Sequence, residues 1–172
     1  VVMSLGGKGQ ASIFGKGQKT TTVGAALCNS AFGHALELDD GHRFAGVHSG
    51  TVVVPAALAL GESLGSGGKN IITAVVAGYD VIYRVAKNIT PSHIEKGFHP
   101  TGCTGVYGSA AAAAKLMGLS KEQTANALGL AGLQSAGFME IVRSGQGAKG
   151  MLPGHAAQAG VLPILVLCFS RV

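Results

Sequence analysis

The stretch Val106-Tyr-Gly-Ser-Ala-Ala-Ala-Ala-Ala-Lys-Leu-Met117, with Gly118-Leu-Ser-Lys-Glu-Gln123 behind it, decides the fold class. Alanine is the strongest helix former, so this run predicts a helix over 106–117. Gly118 closes it, because glycine readily takes the left-handed conformation found just past helix ends. Ser120-Lys-Glu-Gln123 is a capping box that opens the next helix, to about Gly137. The alanine helix has almost no polar face, so it expects burial on every side.

Working outward, the rest of the chain reads the same way. Thr20–Thr22 cap a helix running through Ala25–Leu38, which Asp39-Asp40-Gly41 stops. Arg43–Gly50 is a loop. A helix from about Thr51 to Leu64 is closed by Gly65-Ser66-Gly67-Gly68, and another runs from Asn70 to about Lys87. Thr90-Pro91-Ser92 breaks the chain. Gly97–Gly105 and Ser144–Gly150 are further loops. Pro153 starts a last helix over Gly154–Phe169, which Pro163 should kink or split. The only strand-like piece is Ala11–Phe14. The expectation is an all-α, compact domain of about six helices spanning residues 1–172, with no internal repeat.

Apolar residues make up 47% of the chain and charged residues 12%, roughly half the usual charge. A large share of the surface therefore expects a partner, either a second copy or another domain. Mean hydropathy is +0.39, so a membrane span must be weighed. The uncharged runs Phe44–Gly61, Gly97–Ala114 and Gly150–Ser170 are each broken by proline and histidine, and none is a clean apolar span. Val1–Leu5 leads straight into Gly-Gly-Lys-Gly, which is no signal peptide. Cys28, Cys103 and Cys168 are scattered and odd in number, as in reduced cytoplasmic proteins, and they form no zinc pattern. The net charge of +5 is dispersed, without interleaved aromatics. That excludes a nucleic-acid surface and suits small anions.

Three segments carry chemistry. Gly15-Lys16-Gly17-Gln18-Lys19-Thr20 fails the phosphate-loop spacing and reads as a basic turn. The first loop gathers Glu37, Asp39, Asp40, His42 and His48 within twelve positions. Such a set can serve acid–base chemistry, bind a divalent metal, or simply end a helix. In the second loop, His99 stands between Phe98 and Pro100, ahead of the alanine helix whose N-terminal amides can receive a carboxylate. In the third, Lys149 precedes another helix start, where it can neutralise a carboxylate. If the three loops converge at one end of the bundle, they make an anion pocket with two imidazoles.

These stretches resemble the MmgE/PrpD family. The likeness lies in His34-Ala-Leu-Glu-Leu-Asp-Asp40 with His48-Ser-Gly50 and Val54-Pro55-Ala-Ala-Leu-Ala-Leu60, then in Gly97-Phe-His-Pro-Thr-Gly102 with Gly108–Leu119. It continues in Lys149 with Pro153-Gly154-His-Ala-Ala-Gln-Ala-Gly160. Gly78-Tyr79-Asp80-Val81 and Ala127-Leu-Gly-Leu-Ala-Gly132 join them. The resemblance implies a helical domain and a smaller α+β lid with the site between, no metal or organic cofactor, and a homodimer formed through the helical domain. It implies catalytic roles for His48, His99 and Lys149. Glu37, Asp39, Asp40 and Thr101 are then the substrate-binding candidates. The implied chemistry is proton removal beside a carboxylate of a small di- or tricarboxylic acid, by a lyase or dehydratase. Lid residues would complete the site, so this chain alone is expected to bind an anion with little turnover.

The chain has Glu37 where many members have Asp, Gly41 for a common threonine, Ser49 for a common proline and Leu152 for a frequent histidine. Dehydratase, decarboxylase and epimerase therefore stay open. Two other classes compete with the enzyme reading. One is a non-catalytic carboxylate-binding or dimerisation module. The other is a metal-dependent hydrolase on Asp39, Asp40, His42 and His48.

Overall fold

The computed structural model describes residues 2–145 and 147–169. Its first structure is a 3-10 turn over Val2–Leu5, followed by a hairpin of β1 (Ala11–Ile13) and β2 (Gln18–Thr20). The strands are antiparallel, with Ala11 opposite Thr20 and Ile13 opposite Gln18. The basic turn of the sequence is thus the tip of a hairpin, and the expected strand-like piece has found a partner. Asn29 ties the hairpin to the first helix: its Oδ1 accepts from Phe14 N–H and its Nδ2 donates to Ser12 C=O, both at 2.9 Å. Glu62 ties it to the second helix by accepting from the backbone and hydroxyl of Ser12 and from Lys19 Nζ at 2.8 Å.

Eight helices follow among the described residues: α1 (Thr22–Gly33), α2 (Gly50–Leu64), α3 (Gly68–Ile89), α4 (Ser92–Glu95), α5 (Pro100–Leu116), α6 (Lys121–Gly132), α7 (Glu140–Arg143) and α8 (Met151–Phe169). The all-α expectation holds, with the hairpin as the one sheet among the described residues. Thr21 caps α1, its hydroxyl accepting from Gly24 N–H at 3.1 Å. Ser120 and Gln123 close the expected capping box on α6.

α5 is the axis of the molecule. It packs against α2, α3, α6 and α8. Its residues from Pro100 to Ala114 are buried except Tyr107, which is half-buried. That is why it carries alanine on every side. α3 shows the opposite pattern, burying Ala74, Gly78, Ile82 and Ala86 at four-residue intervals and leaving Ile72 and Val76 exposed. A Cβ on Gly78 would lie 2.7 Å from the Gly108 carbonyl, so α3 and α5 touch backbone to backbone. At the α5–α8 crossing, Ser109 Oγ donates to Ala156 C=O at 2.7 Å.

Four boundaries depart from expectation. α1 ends at Gly33 rather than Leu38, because His34 turns its ring to Asp39 and the chain folds back, with Glu37 at φ 52°. α5 starts at Pro100 rather than Val106, because His99 caps it and tertiary burial outweighs the poor propensity of its glycines. α6 ends at Gly132, short of Gly137. α8 is one helix, not split at Pro163, and opens at Met151. No helix among the described residues is long and apolar enough to cross a membrane. Cys28 and Cys103 are free thiols. The end of the uncharged run at Ser170 and the side chain of Cys168 lie outside what is described.

Candidate active site

Residues 34–49 form the connection between α1 and α2, and two imidazoles meet one carboxylate in it. His34 Nδ1 lies 2.9 Å and 3.0 Å from the two Asp39 carboxylate oxygens. His48 Nδ1 lies 3.3 Å from Asp39 Oδ2 and 3.0 Å from the Asp40 carbonyl oxygen. The two rings meet edge to face at 4.8 Å. The side chain of His34 is fully buried and that of Asp39 nearly so, while His48 keeps 29% of its side chain exposed.

Asp40 works behind this group. Its carboxylate accepts from Gly50 N–H at 2.8 Å, at the start of α2, and from the Tyr79 hydroxyl at 3.1 Å. Burial first, then the charge of Asp40, pushes the Tyr79 hydroxyl upward in pKa. Thr101 is fully buried on α5, and its hydroxyl accepts from His48 N–H at 3.1 Å. That bond ties the first loop to the second.

His99 is the N-cap of α5. Its Nδ1 accepts from Gly102 N–H at 3.2 Å, and its own N–H donates to Gly137 C=O at 3.0 Å. Burial is the main reason its imidazole is held down to about 4, with Lys149, His34 and His48 adding in that order. The ring is therefore uncharged at neutral pH.

Lys149 sits in a 3-10 turn, Gly147–Gly150, directly before α8, and its Nζ meets Glu37 Oε2 at 2.7 Å. This bond and the lysine charge hold the Glu37 carboxyl below the usual carboxylate range. A cleft of about 450 Å³ opens here, with His34, Glu37, Ile141, Lys149 and Met151 among its walls.

The three sequence segments therefore meet. Glu37, Asp39 and His48 come from the first, His99 and Thr101 from the second, and Lys149 from the third. The four-residue metal set of the sequence reading does not assemble. His42 instead stacks on Tyr83 at 4.2 Å and accepts from Ala45 N–H, and Asp40 faces Tyr79. Among the described residues, the metal-competent group is His34, Asp39 and His48, whose ligand atoms lie within 4.8 Å of one another. Sequence reasoning placed His34 in a motif but gave it no role. The sequence offered no signal for it, because the expected helix ran through Leu38 and the structure ends it at Gly33.

A model of the MmgE/PrpD N-terminal domain matches residues 1–166. Over 169 residues the chain is 38% identical to a cis-aconitate decarboxylase of Aspergillus terreus, an alignment covering 93% of this chain and 34% of that protein. It is 31% identical to a cis-aconitate decarboxylase-like protein, oryM, of Aspergillus oryzae, over 92% of this chain and 34% of the relative. The mouse (Mus musculus) cis-aconitate decarboxylase is 32% identical over 142 residues, which are 80% of this chain and 28% of that protein. The chain thus spans about a third of the length of these curated relatives.

Proposed function

The chain belongs to the MmgE/PrpD family, and from that membership we propose that it is the helical domain of a lyase acting on a small tricarboxylate such as cis-aconitate. The observation that carries this reading is the cleft where Lys149 and Glu37 stand beside His34, whose ring holds Asp39 and lies 4.8 Å from that of His48.

Reactions beside a carboxylate pass through a carbanion-like species. In a decarboxylation, the bond to the departing CO₂ breaks, its electron pair stays on the substrate carbon, and a proton is delivered to the carbanion. In a dehydration, a proton is removed as hydroxide leaves. Both need a cation for the accumulating charge and a group that moves a proton near neutral pH. Lys149 is the cation, holding a substrate carboxylate in place of Glu37. His48, the more exposed imidazole, moves the proton. His99 donates a hydrogen bond: its Nδ1 accepts from Gly102, so its single proton sits on Nε2. An uncharged imidazole donor of this kind polarises a substrate oxygen without holding it too tightly. Asp40 and Thr101 act from behind, fixing the loop and the backbone of His48.

The reading includes an α+β lid that completes the site, and a homodimer through the helical domain. Exposed Ile72, Val76 and Leu133 support a partner surface. Light scattering at high concentration that returns the mass of one chain would remove the homodimer.

Calorimetry with cis-aconitate and citrate tests the site. Binding that weakens with salt and in Lys149→Ala is expected. Absence of binding at millimolar ligand would overturn the reading.

A further inference from the structure

We propose that His34 is a positioning residue, which through Asp39 holds His48 in the tautomer with its proton on Nδ1. The inference rests on the reading of His48 as the proton-moving group, because only that tautomer leaves Nε2 free to take a proton.

His48 Nδ1 faces two acceptors, the Asp40 carbonyl oxygen at 3.0 Å and the Asp39 carboxylate at 3.3 Å. A bare nitrogen there would set lone pair against lone pair, so the arrangement requires a proton on Nδ1. The carboxylate adds to that preference, since its negative charge lies 3.3 Å from Nδ1 and attracts a proton there. Asp39 stays in place because of His34. The His34 ring is completely buried and grips both carboxylate oxygens through one Nδ1–H, at 2.9 and 3.0 Å.

The other nitrogen of His34 confirms the direction of that bond. Nε2 is buried and has no hydrogen-bond partner among the described residues. A proton on Nε2 would be a buried donor with no acceptor, which costs about 1–3 kcal/mol. The proton therefore belongs on Nδ1, pointing at Asp39. His34 then donates to the carboxylate, and His48 donates to the Asp40 carbonyl with the same carboxylate 3.3 Å from its Nδ1. The buried ring is the fixed strut, and the partly exposed one is the ring being aimed.

Long-range ¹H–¹⁵N spectra of the imidazoles read this without substrate, at alkaline pH. In the unaltered protein, His48 should show a pyrrole-type Nδ1 and a pyridine-type Nε2. His34→Leu, which keeps bulk and removes the donor, should shift both His48 nitrogens towards averaged values. His34→Asn should restore the original pattern, because its Nδ2 is bonded to Cγ as the imidazole Nδ1 is. Asp39→Ala removes the intermediary on a loop, without opening the core, and should reproduce the His34→Leu change. The proposal is overturned if His48 carries its proton on Nε2 in the unaltered protein, if His34→Leu or Asp39→Ala leaves the spectrum unchanged, or if His34→Asn fails to restore it. Loss of tricarboxylate binding would remove the proposed function and leave this tautomer result standing.

Discussion

Glu37 and Lys149 lie 112 positions apart and meet at 2.7 Å, in the cleft where a substrate carboxylate is expected. Glu37 is thus an internal competitor for the lysine. Glu37→Gln should tighten tricarboxylate binding several-fold in calorimetry, while Lys149→Ala should weaken it about tenfold or more, the loss of one charge-assisted hydrogen bond. The sign with pH follows from Lys149 lowering the Glu37 carboxyl. The ion pair persists above that lowered pKa and is lost as pH falls through it. Both charges were legible in the sequence, Lys149 in a loop before a helix start and Glu37 in the last turn of an expected helix. Their pairing was not, because Glu37 read as part of a helix. The backbone leaves the helix at His34, and that departure depends on a side-chain bond to Asp39 that local propensity does not contain.

At the scale of the element, α5 depends on its cap. Replacing His99 by Ala removes the acceptor for Gly102 N–H and should cost about 1 kcal/mol in chemical denaturation. His99→Asn, a strong N-cap, should retain most of it. The imidazole also gives the helix a pH dependence. Unfolded, His99 binds its proton near 6.5; folded, near 4. The unfolded state therefore binds more protons between those values, and stability falls as pH drops from about 6.5 towards 4, by up to about 3 kcal/mol. In His99→Asn that contribution to the slope should vanish. The existence of α5 was plain from Ala110–Ala114, whereas its first turn was hidden. Gly102, Thr104 and Gly105 argue against a helix locally, and only burial against neighbouring elements makes them helical. Gly102 in particular must lack a side chain, since a Cβ would lie 2.7 Å from the Ala136 carbonyl.

At the scale of the molecule, low charge against a high apolar content pointed to surface awaiting a partner. Alanine and glycine also serve inside the chain, where α5 meets α3 and α8 backbone to backbone. Sequence gives the demand for close contact but not which helix satisfies it. Gly78→Ala should be destabilising by about 1–3 kcal/mol, read as a lower denaturation midpoint, because the new methyl meets a rigid carbonyl. An exposed glycine such as Gly129, with nothing near its missing side chain, should tolerate alanine and gain slightly in helix propensity. The central place of α5 also orders the molecule in time. Amide protons in a helix wrapped by four others escape to solvent only when the whole domain opens, whereas α3 and the hairpin tip, facing water on one side, can open locally. In deuterium exchange, the amides of α5 should be the last to wash out. The histidine at its head would then be anchored to the slowest-breathing part of the protein, and Thr101 on the same helix extends that anchorage to the backbone of His48.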